Sequence, residues 1–206
     1  MNTRPPPRNI EKGFSLAFPH KRRHGLALAL AALALFAPAA HAACDTTTSK
    51  PFTRWLDYFS YTAVPGGSFE SGAAKWTLNG ASVASGNESF NVAGNGSKSL
   101  SLPKGASATS PPFCAGIAYP TVRFFSKGGG LLGTLNVTLN YTDTGHILRS
   151  FPLGVVTASG SWQPTLPLVT LSGLPLLTGS MMTVKVTAVL GSFTIDDVYV
   201  DPWMRH

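Results

Sequence analysis

Two cysteines, five histidines and nine acidic residues are a thin supply of the side chains that most often carry thiol, imidazole, carboxylate and metal chemistry in 206 residues. Cys44 and Cys114 stand far apart and form neither a C-x-x-C redox pair nor a zinc-ligand spacing. His20, His24 and His41 crowd the first 43 residues, so His146 and the terminal His206 alone remain beyond them, and a Ser-His-Asp triad has almost no base to draw on. His146 follows "YTDTG" and reads as a surface residue of a hairpin turn. There is no G-x-S-x-G elbow, no H-E-x-x-H motif, no P-loop and no dinucleotide fingerprint. Beyond residue 43 only Glu70 and Glu88 are glutamates, and nothing positive marks Glu70 with Glu88 or Asp143 as a glycosidase pair. The chain is not expected to be an enzyme.

Long apolar runs are also scarce. The one that exists, "GLALALAALALFAPAA", follows Arg4, Arg8, Lys12, Lys21, Arg22 and Arg23 and ends at Ala40-His41-Ala42. A basic segment, a short apolar segment and an A-x-A site describe a secretory signal peptide, here residues 1–43. Pro38 interrupts the run, which is too short for a comfortable membrane span. Cys44 admits a lipoprotein alternative, but "HAA" before it lacks the usual leucine; Arg22-Arg23 fits twin-arginine export poorly. Sec export to the cell surface or medium is the expectation, with no membrane association after cleavage. The leader carries six of the 16 basic residues and only Glu11 of the nine acids, so residues 44–206 are left with ten basic against eight acidic side chains. The high isoelectric point belongs to the leader, and no basic patch remains to attract nucleic acid.

What the chain does have is period-two alternation. "LNVTLNYTD" (135–143) places Leu135, Val137, Leu139 and Tyr141 on one face, with Asn136, Thr138 and Asn140 on the other. "MTVKVTAVL" (182–190) sets Val184, Val186 and Ala188 opposite Thr183, Lys185 and Thr187. Such strands are buried on one side only, as in antiparallel sheets. Further strands are expected at 56–63, 80–85, 88–93, 98–102, 106–110, 119–126, 146–157, 161–169 and 192–200, with Gly, Pro and Asn-Gly turn signals between them. Pro167 and Pro175 keep "TLPLVTLSGLPLLTGS" (165–180) from forming a long helix. The reading is one all-β, antiparallel sandwich over residues 44–206, jelly-roll-like once the likeness below is counted. In an oxidising compartment Cys44 and Cys114 are expected to pair; the other reading is two separate thiols.

"SFTIDDVYVDP" (192–202) breaks the alternation. Phe193 and Ile195 lie on one side, Val198 and Val200 on the other, and Asp196-Asp197 stand at the change of phase. A β-bulge there would reconcile the halves and turn at least one carboxylate toward the sandwich or its rim. A buried carboxylate needs a cation, an Arg or Lys, or several N–H donors. Calcium, Arg123 of "TVRFF" and the backbone all stay open as partners.

"PGGSFESGAAKW" (65–76), with "FTIDDVYV" (193–200) far downstream, resembles the ends of galactose-binding-like jelly rolls, including bacterial carbohydrate-binding modules. Over nearly its whole length after the leader, the chain is also similar to a group of uncharacterised secreted bacterial proteins, through "SFESGAAKWTL", "SLSLPKGASATSPPFC", "PTVRFF", "GSWQPTLPL" and "IDDVYVDP". The module resemblance implies a structural Ca²⁺ between first and last strands, with Glu70 matching the Phe-Glu carboxylate and Asp196 or Asp197 the closing acid; backbone carbonyls around Gly67 would complete the shell. It also implies non-catalytic binding of an extracellular or cell-wall glycan, the alternative being a structural or protein-interaction component of the surface. Trp76 and Trp162 read as core. Trp55, Tyr58, Phe59 and Tyr61 form a cluster that alternation would leave half exposed, with Phe59 and Tyr61 on one face. Trp203 is an anchor or a packed tail. Asn136, Thr138, Asn140 and Lys185 read as an ordinary solvated face, with a ligand-bearing sheet face as the other reading.

Overall fold

Alternation becomes strand almost everywhere the hydrophobic phase is sustained. The computed structural model describes residues 47–115, 120–169 and 180–201, so the leader, Cys44 and Trp203 lie outside it. Eleven strands are described: β1 (Thr62–Ala63), β2 (Thr77–Asn79), β3 (Ser82–Ser85), β4 (Lys98–Leu102), β5 (Ser107–Thr109), β6 (Phe113–Ala115), β7 (Thr121–Thr142), β8 (Leu148–Thr157), β9 (Gln163–Pro164), β10 (Leu168–Val169) and β11 (Ser180–Asp201). The only helical turn among the described residues is a 3₁₀ turn at Thr53–Trp55.

β7 and β11, 22 residues each, pair antiparallel along nearly their full length, from Met182–Tyr141 to Asp201–Thr121. Every other described strand but β2 and β3 pairs with one of these two. The Gly128–Gly130 signal, expected to end a strand, is instead a bend inside one. Between Gly129 and Thr134 the register against β11 shifts, and Gly128 N–H donates to Ser159 O while Ala158 N–H donates to Gly133 O. Side chains have no room at this corner: a Cβ on Gly128 would lie 2.5 Å, and one on Gly133 2.7 Å, from Ala158 Cβ. The bend divides the sheet into two halves sharing β7 and β11. One half joins residues 192–201 of β11 and 121–129 of β7 to β1, β3, β4, β9 and β10. The other joins residues 180–188 and 134–142 to β2, β5, β6 and β8.

The two halves close on one core. Leu100, Leu102, Val122, Phe124, Phe193 and Ile195 from the first meet Ala108, Leu135, Val137, Leu139, Val184 and Val186 from the second, and all are essentially inaccessible to solvent. The molecule is therefore an all-β, antiparallel, jelly-roll-like sandwich. Trp76 sits in this core and donates from Nε1 to Pro65 O at 3.2 Å.

Of the strand expected at 56–63 only the Tyr61 bridge and β1 form, and the one expected at 88–93 does not form. Residues 56–61 leave the 3₁₀ turn through a left-handed Leu56 (φ 61°), and Asp57 Oδ1 accepts the Phe59 N–H at 3.0 Å, an Asx-type turn that draws the backbone off the sheet. Phe59 and Tyr61 consequently part company: Phe59 is 46% exposed and Tyr61 1%. Residues 88–93 form a loop, because the Glu88 carboxylate accepts the N–H groups of Phe90 and Val92 that a strand partner would have taken.

Candidate functional site

The outer faces of the two half-sheets are built differently. The outer face of the first is covered around Arg123, Phe125, Asp196 and Tyr199. A second apolar cluster of Phe52, Tyr61, Phe125 and Tyr199, with Trp55, Phe90, Val92 and Trp162 packed against it, lies there. Phe52 stacks on Phe125 with ring centroids 5.5 Å apart, and the Arg123 guanidinium lies 4.1 Å over Phe52. Arg123 pairs with the buried Asp57, and its Nε and Nη2 also donate to Thr165 O at 2.9 and 2.6 Å. Tyr61 donates its hydroxyl to Asp57 Oδ2 at 2.7 Å, and its pKa is pushed far up by burial first and by the Asp57 carboxylate second. Arg123, one of the open partners for Asp196 and Asp197, is thus committed elsewhere. Asp57 carries no periodic signal and escapes a sequence reading.

The same cover buries the acids. The pairing of β11 with β7 jumps between Asp196 and Tyr199, and Asp197 adopts φ 49°, so the bulge falls at the change of phase. Asp196 and Asp197 are 0% and 3% exposed, and Glu88, which pattern reading did not place with them, is 1% exposed. Backbone donors surround them: Glu88 N–H to Asp196 Oδ2 at 3.0 Å, Asp197 N–H to Asp196 Oδ1 at 2.9 Å, and Ala93 N–H to Asp197 Oδ2 at 3.3 Å. These do not offset the loss of water. Burial, with Asp197 and Glu88 close by, pushes Asp196 up to about 8; burial and then Glu88 push Asp197 up to about 6.

Glu70 reaches the same loop from the other end of the chain. The Gly66-Gly67 turn docks on β11, with Val64 N–H donating to Val198 O and Val198 N–H donating to Gly67 O. Gly67 O, expected as a metal-facing carbonyl, is thereby engaged. Glu70 Oε1 accepts Ser97 N–H at 2.9 Å and Lys98 N–H at 2.7 Å. Partial desolvation opposes these bonds, yet they hold its carboxyl below the usual range. Gly96 allows the approach, since a Cβ there would sit 2.8 Å from Glu70 Oε1 and 2.2 Å from Asn87 Oδ1. Glu70 and Glu88 both act electrostatically on Asp197, so four acids gather around loop 86–98. The donor chemistry fits a hard cation: oxygen only, with no ion pair to a described residue on Glu88, Asp196 or Asp197. As they stand, the described residues include no three His, Cys, Asp or Glu side chains gathered tightly enough to hold a metal.

The outer face of the second half-sheet is open, and no described residue covers it. Thr109, Asn136, Thr138, Asn140, Leu148, Ser150, Thr183, Lys185 and Thr187 line a shallow cleft of about 530 Å³. Strand pairing arrays them in rows: Ser150–Asn140–Thr183, then Thr138–Lys185–Thr109, then Asn136–Thr187. Asn140 is fixed, accepting from Ser150 Oγ at 2.7 Å and donating to Thr183 Oγ1 at 3.2 Å. Four strands at about 4.8 Å spacing make the grid roughly 14 Å across. Such an array of hydroxyls and amides can bond a polyhydroxylated ligand.

A protein-family comparison finds no model that matches the chain, and no curated protein matches it. Among solved structures, the chain is similar to TmCBM61 in complex with beta-1,4-galactotriose (20% identity, 68% of this chain and 99% of that one, TM-score 0.45). It is also similar to the CBM22-1 xylan-binding domain from Paenibacillus barcinonensis Xyn10C (14% identity, 67% and 93%, TM-score 0.48). A third likeness is to the enzymatically active domain of Bacteriophage CBA120 tailspike protein 4 (17% identity, TM-score 0.47), of which this chain spans 21%.

Proposed function

We propose that this protein is a secreted, non-catalytic binding domain whose ligand is an extracellular or cell-wall carbohydrate, held in the open cleft. The observation that carries the reading is the cross-strand grid Ser150–Asn140–Thr183, whose hydrogen bonds fix a polar array on an otherwise uncovered sheet face. Export by the 1–43 leader and a Cys44–Cys114 bridge belong to the same proposal; they are the only two cysteines of the chain.

A structural calcium ion at loop 86–98 is the second part. Asp197 and Glu70 would hold it, with Asp196 and Glu88 beside them, and the ion would supply the positive charge that three buried carboxylates lack. It would fasten the Gly66–Glu70 turn and loop 86–98 to the end of β11, on the half-sheet away from the cleft, and so would stabilise rather than recognise.

The alternative, a structural or protein-interaction component without a sugar site, is favoured by one observation. Leu56, Tyr58 and Phe59 stand 80%, 63% and 46% exposed on one short segment. Retention on a panel of insoluble and gel-embedded polysaccharides decides between them. Retention lost in Asn140→Ala and kept in Tyr58→Ala supports the cleft; a blank panel, or loss in Tyr58→Ala alone, contradicts it.

A further inference from the structure

We infer that the cleft is selective for an anionic polysaccharide, one bearing carboxylate or sulfate groups, with Lys185 as the residue that reads the charge. The inference rests on the glycan-binding reading above and assigns its ligand class.

Lys185 stands at the centre of the grid, opposite Thr138 on β7 and Thr109 on β5. It is exposed, lies on the outward face between the buried Val184 and Val186, and forms no ion pair with a described residue. All eight other residues lining the cleft are uncharged. The nearest ion pair along the neighbouring strands, Arg149 with Asp143 at 2.7 Å, is closed on itself. The cleft therefore carries one unbalanced positive charge, surrounded by hydroxyl and amide groups that bond sugar hydroxyls of either sense.

The lining also lacks two things that a site for neutral sugars commonly provides. No aromatic ring lies among the described cleft residues to stack on the apolar face of a pyranose, and no carboxylate is among them to accept bidentate bonds from paired hydroxyls. Asn, Thr and Ser bonds exchange with water at small net gain, so neutral hydroxyls alone yield weak retention. A charge-assisted bond from an ammonium to an anionic oxygen is roughly twice as strong as a neutral one and is the largest single contribution this cleft can make. Uronate carboxylates and sulfate esters share that chemistry.

The test uses affinity electrophoresis and calorimetry on the protein after leader removal, with polygalacturonate, its methyl ester, a sulfated galactan, xylan and neutral galactan as probes. Polygalacturonate or the sulfated galactan is expected to bind roughly tenfold more tightly than the methyl ester and the neutral chains. Lys185→Gln is expected to remove the preference, so that the variant binds that polymer and the ester equally, while Lys185→Arg keeps it. Which anionic polymer is preferred identifies carboxylate or sulfate as the group read. Anionic and neutral chains bound equally well, or an anionic preference that survives Lys185→Gln, with binding lost in Asn140→Ala in either case, overturns this inference and spares the proposed function. No retention of any probe, or retention indifferent to both variants, overturns the two together.

Discussion

The two outer faces of this sandwich belong to the same pair of 22-residue strands, yet one is sealed and the other bare. On the sealed face, β7 contributes Arg123 and Phe125 and β11 contributes Asp196 and Tyr199, all buried under the 49–61 segment and loop 86–98. On the bare face, the same strands present Asn136, Thr138, Asn140, Thr183, Lys185 and Thr187. The contrast teaches where each kind of side chain is tolerated. Charge under a cover must be paired, bonded or neutralised; hydroxyls and amides on a bare face need nothing but water, and remain available to a ligand.

The largest effect expected from breaking the contrast is at Arg123. Arg123→Ala strands the Asp57 carboxylate beneath Phe52 and Tyr61, and removing one partner of a buried pair costs about 3–5 kcal/mol. Urea denaturation should show that loss, with the polysaccharide affinity of the folded fraction unchanged. Next comes calcium. At a hundredfold excess over its dissociation constant, an ion bound only by the folded state adds about 2.7 kcal/mol, and for a domain of this size each kcal/mol moves the melting midpoint by about 2–4 °C. Addition of EDTA should lower the midpoint accordingly, and Asp197→Asn should abolish the response; a midpoint indifferent to chelator removes the ion from the account.

Acidity sharpens the same point. In metal-free protein the folded-state pKa values of Asp196 and Asp197, about 8 and about 6, lie above the ordinary carboxylate range. The folded state then holds protons that the unfolded chain has released, so stability falls as pH rises from about 4 toward about 8. Thermal scans in EDTA should follow that slope, and saturating calcium should flatten or reverse it. The smallest stability effect belongs to the bare face: Asn140→Ala should change stability within the range of ordinary surface substitutions, about 0.5 kcal/mol, while glycan retention is lost.

Much of this was legible from residue order, and the failures have physical causes. Sustained alternation located β4, β8 and both halves of β7 and β11, and the phase change at Asp196-Asp197 located the bulge. The polar rows of the open cleft were visible as the outward half of "NVTLN" and "TVKVT"; that they form a cleft depends on which strands lie side by side. Loop 88–93 misled because Glu88, Phe90 and Val92 alternate like a strand while the Glu88 carboxylate holds the backbone in a loop. Asp57 was invisible for a different reason. Its partners, Arg123 and Tyr61, come from a distant strand and a neighbouring turn, and no local period joins them. Glu70 could be matched with the closing acids only through the resemblance of chain ends; the bonds that bring it there run through the backbone of Gly67 and Val198.

Hydrogen–deuterium exchange on the wild-type protein, with and without a polysaccharide it retains, asks directly which face does the binding. The account predicts new protection in residues 134–142, 148–152 and 180–188, with loop 86–98 and residues 49–61 unchanged. Protection confined to loop 86–98 or to residues 56–59 would contradict it.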